Sequence, residues 1–230
     1  ALSGWRIIND IDAYSIGMSK ASHYALFSRC NLATPKYFVL RSDCSLGDIE
    51  GRLQERNMKF PMLLKPNSGG FGKGIVRFDN MESLTSSFSV ESDDIKGAFG
   101  TDGIALLQEF IHPKNNLTYR AWFVGGKVHR AVSVTVDYAS GNSSGSQDDE
   151  TKKQDFNACV CSVPFENYEC PDTVKNNVEA LASAAGADCG SVEYLYDFDG
   201  NLQFFDFNCL STLPDDGAYD ELARFIVGAA

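Results

Sequence analysis

The sequence predicts an α+β protein of two small lobes, each built on an antiparallel sheet. Three observations predict it. Strand-like and helix-like segments alternate from residue 5 to 57, a glycine-rich loop over 67–73 joins two strand-like runs, and two later pairs of strand-like runs are joined by tight turn signals. A chain of 230 residues with 43% hydrophobic content has material for one large core or two small ones.

Taken in order, Trp5–Asn9 reads as a short buried strand, and Ser19 as the cap of a helix reaching Arg29. The β-rich run Tyr37-Phe-Val-Leu40 reads as a second strand, and 45–57 as a second helix. From Met58 the pattern changes: 60–65 is a strand, 67–73 the glycine-rich loop, 74–79 a returning strand, and Asn80 caps a helix. A third strand of this lobe runs over 103–111. The polar break His112-Pro113 then marks a hinge.

The second lobe opens with the most definite element, a hairpin of Tyr119–Val124 and Lys127–Val134 around Gly125-Gly126. Residues 139–154, rich in Ser, Gly, Asp and Lys, form a polar loop that reads either as a lid or as a plain solvated insertion. A helix over 173–187 has Val174, Val178, Leu181 and Ala185 on one face. A second hairpin follows, from Ser191 to Asn208 around Phe198-Asp-Gly-Asn201, and a helix over 219–227 closes the pattern. There are no internal repeats.

Bulk properties exclude several functions. A formal charge of −11 is unsuited to nucleic acid or to an anionic membrane, which need a basic surface to replace counterions. Apolar runs are short, far from the roughly 20 residues of a membrane helix. The N-terminal residues lack the pattern of a secretory signal, and seven cysteines without a CxxC pair suit free thiols, so a cytoplasmic protein is expected. Cys159 and Cys161 read as alternate residues of a strand, with a metal or redox pair as the rarer reading.

Three constellations carry chemistry. Lys65-Pro-Asn-Ser-Gly69-Gly70-Phe-Gly-Lys73 lies between two strands; glycines let successive backbone N–H groups approach phosphate oxygens, and the two lysines supply point charges. It is not a Walker A loop, because Lys73 is followed by Gly74 and a strand. Glu193 on one strand of the last hairpin, with Asp206 and Asn208 alternating on the other, presents three oxygen donors of the kind a partly hydrated Mg²⁺ accepts. The competing reading is a solvated hairpin face, but Phe204, Phe205 and Phe207 surround the pair and make polar groups costly there. Arg120 and Arg130 on the Gly-Gly hairpin, with Lys20 near the start, are candidates for binding a transferring phosphoryl group or an acidic substrate; surface salt bridges are the plainer alternative.

The order of these parts resembles the ATP-grasp superfamily, and within it the RimK-like and glutathione-synthetase-like carboxylate–amine ligases. The motifs that carry the resemblance are the Lys65–Ile75 loop, Leu106-Leu-Gln-Glu-Phe-Ile111 as the hinge strand, Tyr119–Lys127 as the Arg-x-x-x-Val-Gly-Gly-Lys hairpin, and Val192-Glu-Tyr with Phe205-Asp-Phe-Asn208 as the metal-binding end. The resemblance implies the ATP-grasp fold, two α+β lobes with antiparallel sheets enclosing a nucleotide: residues 58–111 the lobe with the glycine-rich loop, 112–230 the lobe with the metal site, and 1–57 the end of a preceding domain with linking helices. It implies ATP and two Mg²⁺ ions as cofactors. Lys65, Gly69, Gly70 and Lys73 would meet the phosphates, and Gln108, Glu109, Phe110 and Ile111 the adenine. Glu193, Asp206 and Asn208 would bind the metals, with Arg120 near the γ-phosphate or the acyl-phosphate intermediate.

The sequence also departs from the family. Thr118 stands where an acidic residue usually meets the ribose, and Glu193 replaces the more usual Asp of the first metal strand. Most of the family's preceding domain has no counterpart, so a fragment, or an acceptor site supplied by another region, is expected. The implied reaction activates a carboxylate as an acyl phosphate for attack by an amine, both small-molecule or peptide substrates. A kinase of a small alcohol such as an inositol phosphate, or a non-catalytic nucleotide-binding protein, is the alternative; an oligomer of identical chains stays open.

Overall fold

In the computed structural model, residues 7–70, 72–90, 92–136 and 165–228 are described. By contacts the chain divides into two compact units, Pro35–His112, and residues 7–34 with Pro113–Thr135 and 165–228. Of the 1–57 segment set apart in the sequence, 7–34 thus clusters with the second unit. Residues 35–57 cluster with the first, because Tyr37–Arg41 pairs with its third strand.

The first unit is a four-stranded antiparallel sheet in the order β1-β4-β2-β3, with β1 (Tyr37–Arg41), β2 (Met62–Pro66), β3 (Val76–Phe78) and β4 (Ile104–Glu109). Alternation along the strands sends Phe38, Leu40, Met62, Leu64, Phe78, Ala105 and Leu107 to one face. There they bury against Ile49 and Leu53 of one helix (Leu46–Glu55), Leu84 of a second (Met81–Ser89) and Ile95, Ala98 and Phe99 of a third (Asp93–Phe99). All three helices start at side-chain caps, Ser45, Asn80 and Ser92, whose oxygens accept an otherwise unpaired backbone N–H. The third of these helices was not expected from the sequence. The opposite sheet face carries Leu63, Lys65, Leu106 and Gln108.

The second unit is a five-stranded antiparallel sheet in the order β7-β6-β5-β8-β9, with β5 (Leu117–Val124), β6 (Lys127–Thr135), β7 (Phe165–Asn167), β8 (Cys189–Tyr196) and β9 (Leu202–Asn208). The β5–β6 hairpin turns on Gly125 and Gly126, whose φ of 59° and 72° belong to the mirror-image turn that matches strand twist. Its helices are α1 (Ile11–Gly17), α2 (Lys20–Arg29), α6 (Asp172–Ala185) and α7 (Asp216–Gly228), those of the first unit being α3 to α5 in chain order. Val174, Val178 and Leu181 of α6 are fully buried, each such side chain contributing about 1.5–3 kcal/mol relative to exposure. Phe27 of α2 packs on Phe204 of β9 with ring centroids 6.0 Å apart. One sheet face is therefore the core, made of Ala121, Phe123, Val192, Tyr194, Phe204 and Phe207.

The expected strand at Trp5–Asn9 is not formed by its described residues 7–9. Asn9 is instead a hydrogen-bonding hub: its amide nitrogen donates to the carbonyls of Cys189 and Cys209 (2.9 and 2.8 Å) and its amide oxygen accepts from Asp188 and Cys189 N–H (2.6 and 2.9 Å). Helix α1, capped by Asp10, follows where no element was expected, and α7 begins at Asp216, earlier than expected. The polar stretch 139–154 and the pair Cys159/Cys161 lie outside the described residues. Among those described, no helix is long and apolar enough to cross a membrane, and Cys30, Cys44, Cys170, Cys189 and Cys209 are free thiols.

Candidate functional site

In the first unit, Lys65 stands on β2 with Leu106 as its cross-strand partner, on the sheet face away from the core, and is 7% exposed. Gln108 shares that face through its pairing with Leu63, and is equally buried. The loop beyond β2 takes positive φ at Gly69, Gly72 and Gly74 (105°, 70° and 74°), a backbone course that residues with a Cβ resist. Gly69, Gly70 and Lys73 are exposed at its tip.

The loop is anchored at its base by Asp102, whose Oδ2 accepts from Asn67 Nδ2 and Ser68 Oγ (both 2.9 Å) and whose Oδ1 accepts from the Ile104 N–H (3.1 Å). Partial burial pushes the Asp102 pKa up, but these hydrogen bonds outweigh it and hold the carboxyl below its ordinary 3.8. A folded-state pKa below the unfolded one means stability that is present above pH 3.8 and lost as pH falls through the lower folded value. Protection of the Ile104 and Asn67 amides, taken against intrinsic exchange at each pH, is therefore expected to be full at pH 6 and to fall below the unfolded value. In Asp102→Ala that protection is expected to be lost at both.

At the other end of this sheet, Glu109 N–H donates to Lys36 C=O (2.8 Å) and Phe110 N–H to Pro61 C=O (2.9 Å). The Glu109 carboxylate accepts from Lys59 N–H (2.7 Å), and the Arg77 guanidinium lies 4.9 Å from the Phe110 ring centre. These bonds fix the backbone course at Glu109 and Phe110.

In the second unit, register brings the candidate residues together on the sheet face opposite the core. Two adjacent rows cross the strands: Val132, Arg120, Glu193 and Asp206 form one, and Arg130, Trp122, Ser191 and Asn208 the next. Directly opposed residues of such rows have Cβ atoms about 5 Å apart. Two β-bulges set this arrangement. Phe205 is the extra residue on β9, since Glu193 pairs with Asp206 while Tyr194 pairs with Phe204, and His129 is the extra residue on β6. The first bulge lets Phe204 and Phe207 both point into the core, with Asp206 and Asn208 on the other face.

Each candidate donor has a protein partner. Arg120 Nη2 donates to Glu193 Oε1, with its guanidinium 5.6 Å from the Trp122 ring centre. Asp206 Oδ1 lies 3.0 Å from His23 Nδ1, and Asn208 Oδ1 accepts from Leu210 N–H (2.8 Å). Two carboxylates and an amide oxygen retain further lone pairs, and such an all-oxygen set fits a hard divalent cation. Among the described residues no group of three or more His, Cys, Asp and Glu side chains is gathered for a metal; this triad has only two such members, Asn208 being the third. Arg130 is taken up elsewhere: Nη1 donates to Asp215 (2.9 Å), and Nε and Nη2 to Asn167 Oδ1 (3.0 and 2.6 Å). It ties β6 to β7 and to the start of α7. Lys20 opens α2 beside the Ser19 cap.

His23 is a contributor that no sequence signal marked. Its ring is 3% exposed, and because the Gly17 carbonyl 3.1 Å from Nε2 can only accept, Nε2 carries a proton toward it. The Phe207 N–H donates to Nδ1 (3.4 Å), and Asp206, 183 residues away in sequence, lies beside the same nitrogen. Cys209, just beyond Asn208, is no nucleophile: burial first, then Cys189 and Asp10, push its thiol up to about 12.

Close backbone approach also shapes the site. A Cβ on Gly190 would meet Asn208 O at 2.6 Å and Phe123 Cζ at 2.9 Å, so Gly190→Ala must push β8 from β9 at the row holding Asn208. It is expected to cost about 1–3 kcal/mol in denaturant unfolding. An open groove of about 420 Å³ beside Gly125, Lys127, Glu179 and Phe225 belongs to the turn end of this unit and contains none of the candidate residues.

No protein-family model matches the chain, and comparison with curated proteins finds no significant match. Solved structures do match in shape. D-alanine–D-alanine ligase from Bacillus anthracis is 18% identical with a TM-score of 0.67, over 96% of this chain and 69% of that one. The D-cycloserine synthetase DcsG is 16% identical with a TM-score of 0.67, over 97% and 73%. The ATP-grasp ligase PsnB, complexed with a phosphomimetic variant of its minimal precursor, Mg and ADP, is 14% identical with a TM-score of 0.61, over 98% and 63%. The chain thus spans about two thirds of the length of these proteins. It has the ATP-grasp fold, with its two antiparallel sheets in separate α+β units.

Proposed function

We propose that the chain is the catalytic part of an ATP- and Mg²⁺-dependent ligase that activates a carboxylate as an acyl phosphate for attack by an amine. The observation that carries this reading is the pair of adjacent cross-strand rows holding Arg120, Glu193, Asp206 and Asn208 on the sheet face away from the core. The fold, shared with ligases of which one is complexed with Mg and ADP, supports it.

In this reading Lys65 and Lys73 neutralise phosphate oxygens, the exposed backbone at Gly69 and Gly70 approaches them, and Gln108–Ile111 receives the adenine. Glu193, Asp206 and Asn208 hold Mg²⁺, two ions in all. When bound, magnesium draws charge from the phosphate oxygens and so eases departure of ADP. Arg120 stabilises charge on the transferring phosphoryl group or the acyl phosphate. A carboxylate oxygen forms a bond to the γ-phosphorus as the bond to the ADP oxygen breaks. The amine nitrogen then bonds to the acyl carbon, inorganic phosphate leaves, and the nitrogen loses a proton. No protein nucleophile is required. The acid and amine are small molecules or peptides, and the setting proposed is the cytoplasm.

The test is acceptor-dependent ADP release over panels of acids and amines, with hydroxylamine present to trap acyl phosphate as a hydroxamate. Hydroxamate formed only with ATP, Mg²⁺ and an acid supports the ligase. A phosphorylated alcohol without hydroxamate replaces it by a kinase, and nucleotide binding without turnover by any acceptor replaces it by a binding protein.

A further inference from the structure

Ser191 is 1% exposed, and its hydroxyl has no hydrogen-bond partner among the described residues. A buried hydroxyl left in that state destabilises the fold, so its retention points to a partner that arrives with a ligand. Its position says which kind. Ser191 is two residues from Glu193 on the same strand face, and its direct neighbours across the sheet are Asn208 and Trp122. The row beyond Glu193 in the other direction is Val134, Thr118, Leu195 and Gln203, which carries no charge. Arg120, Glu193 and Asp206 lie in the row adjoining that of Ser191. The hydroxyl therefore stands beside Asn208, a proposed metal ligand, with Glu193 and Arg120 in the next row.

Building on the ligase reading, we infer that Ser191 is a substrate-binding residue whose hydroxyl donates a hydrogen bond to an oxygen of the terminal phosphoryl group of bound ATP. A hydroxyl rotates freely to meet an anionic oxygen, and a bond to a charged group is about twice as strong as a neutral one.

The experiment compares the unsubstituted chain with Ser191→Ala, Ser191→Cys and Asp206→Asn by calorimetric titration with Mg-AMPPNP and with Mg-ADP, and by thermal unfolding without nucleotide. Ser191→Ala is expected to weaken Mg-AMPPNP about tenfold while leaving Mg-ADP within about twofold. Its unfolding midpoint should be unchanged or raised, because an unsatisfied hydroxyl is removed. Ser191→Cys, a weak donor of similar shape, should fall between. The inference is overturned if Ser191→Ala binds Mg-AMPPNP like the unsubstituted chain, if both nucleotides weaken equally, or if the midpoint drops sharply, which marks a structural hydroxyl. Failure of Asp206→Asn to weaken either nucleotide, or absence of nucleotide binding by the unsubstituted chain, instead removes the ligase reading, and the role of Ser191 with it.

Discussion

Asp206→Asn is expected to lower Mg-ATP turnover by roughly two to three powers of ten, the largest effect of any single substitution considered. The change preserves shape and removes one negative charge from the oxygen set on β8 and β9. A hard cation depends on anionic oxygen, and charge stabilisation at the transferring phosphoryl group is worth several kcal/mol, at tenfold per 1.36 kcal/mol. Folding should be little affected: Asp206 is a partly exposed edge residue, and its neighbour His23 keeps its bond to Gly17. The check is initial rate against Mg²⁺ concentration. A rate that recovers at high Mg²⁺ marks weakened metal binding, and one that stays low at saturation marks lost transition-state charge.

Lys65→Met should follow closely, with about a hundredfold loss of kcat/KM and a raised KM for ATP. Methionine keeps an unbranched apolar stem in the strand and deletes only the ammonium. Because Lys65 is 7% exposed, its charge acts through a medium of low dielectric and is poorly screened by salt. Lys73, exposed at the loop tip, provides the comparison. Lys73→Met should cost less, and its effect should shrink as ionic strength rises, whereas that of Lys65→Met should persist. Equal, salt-sensitive losses for both lysines would mean that the ammonium on β2 does not meet the nucleotide.

Local chemistry was legible in the sequence. Ser19 and Asn80 cap helices because a short side-chain oxygen meets the N–H three residues on, and Gly125-Gly126 turns the hairpin by its own backbone freedom. The common face of Glu193, Asp206 and Asn208 was half legible. Alternation puts Asp206 and Asn208 together, but only register sets Glu193 opposite Asp206.

What was hidden depends on distant parts of the chain. The bulge at Phe205 leaves no local mark, and it is what lets Phe204 and Phe207 share the core. His23 reads as an ordinary helix residue until the fold sets it against Asp206. Arg130 read as a candidate for phosphate binding, yet its donors go to Asn167 and Asp215, neither within 30 residues. Helix α1 was missed because Ile11, Tyr14 and Met18 remain exposed, leaving Ala13 as its only buried residue.

The ligase proposal requires that Lys65 and Asp206 each contribute to the binding of magnesium nucleotide. Titration of the unsubstituted chain, Lys65→Met and Asp206→Asn with Mg-AMPPNP, each repeated in excess EDTA, tests it most directly. One saturable site per chain is predicted, weakened by each substitution and by chelation. Binding that survives both substitutions and the loss of Mg²⁺, or no binding by the unsubstituted chain, contradicts it.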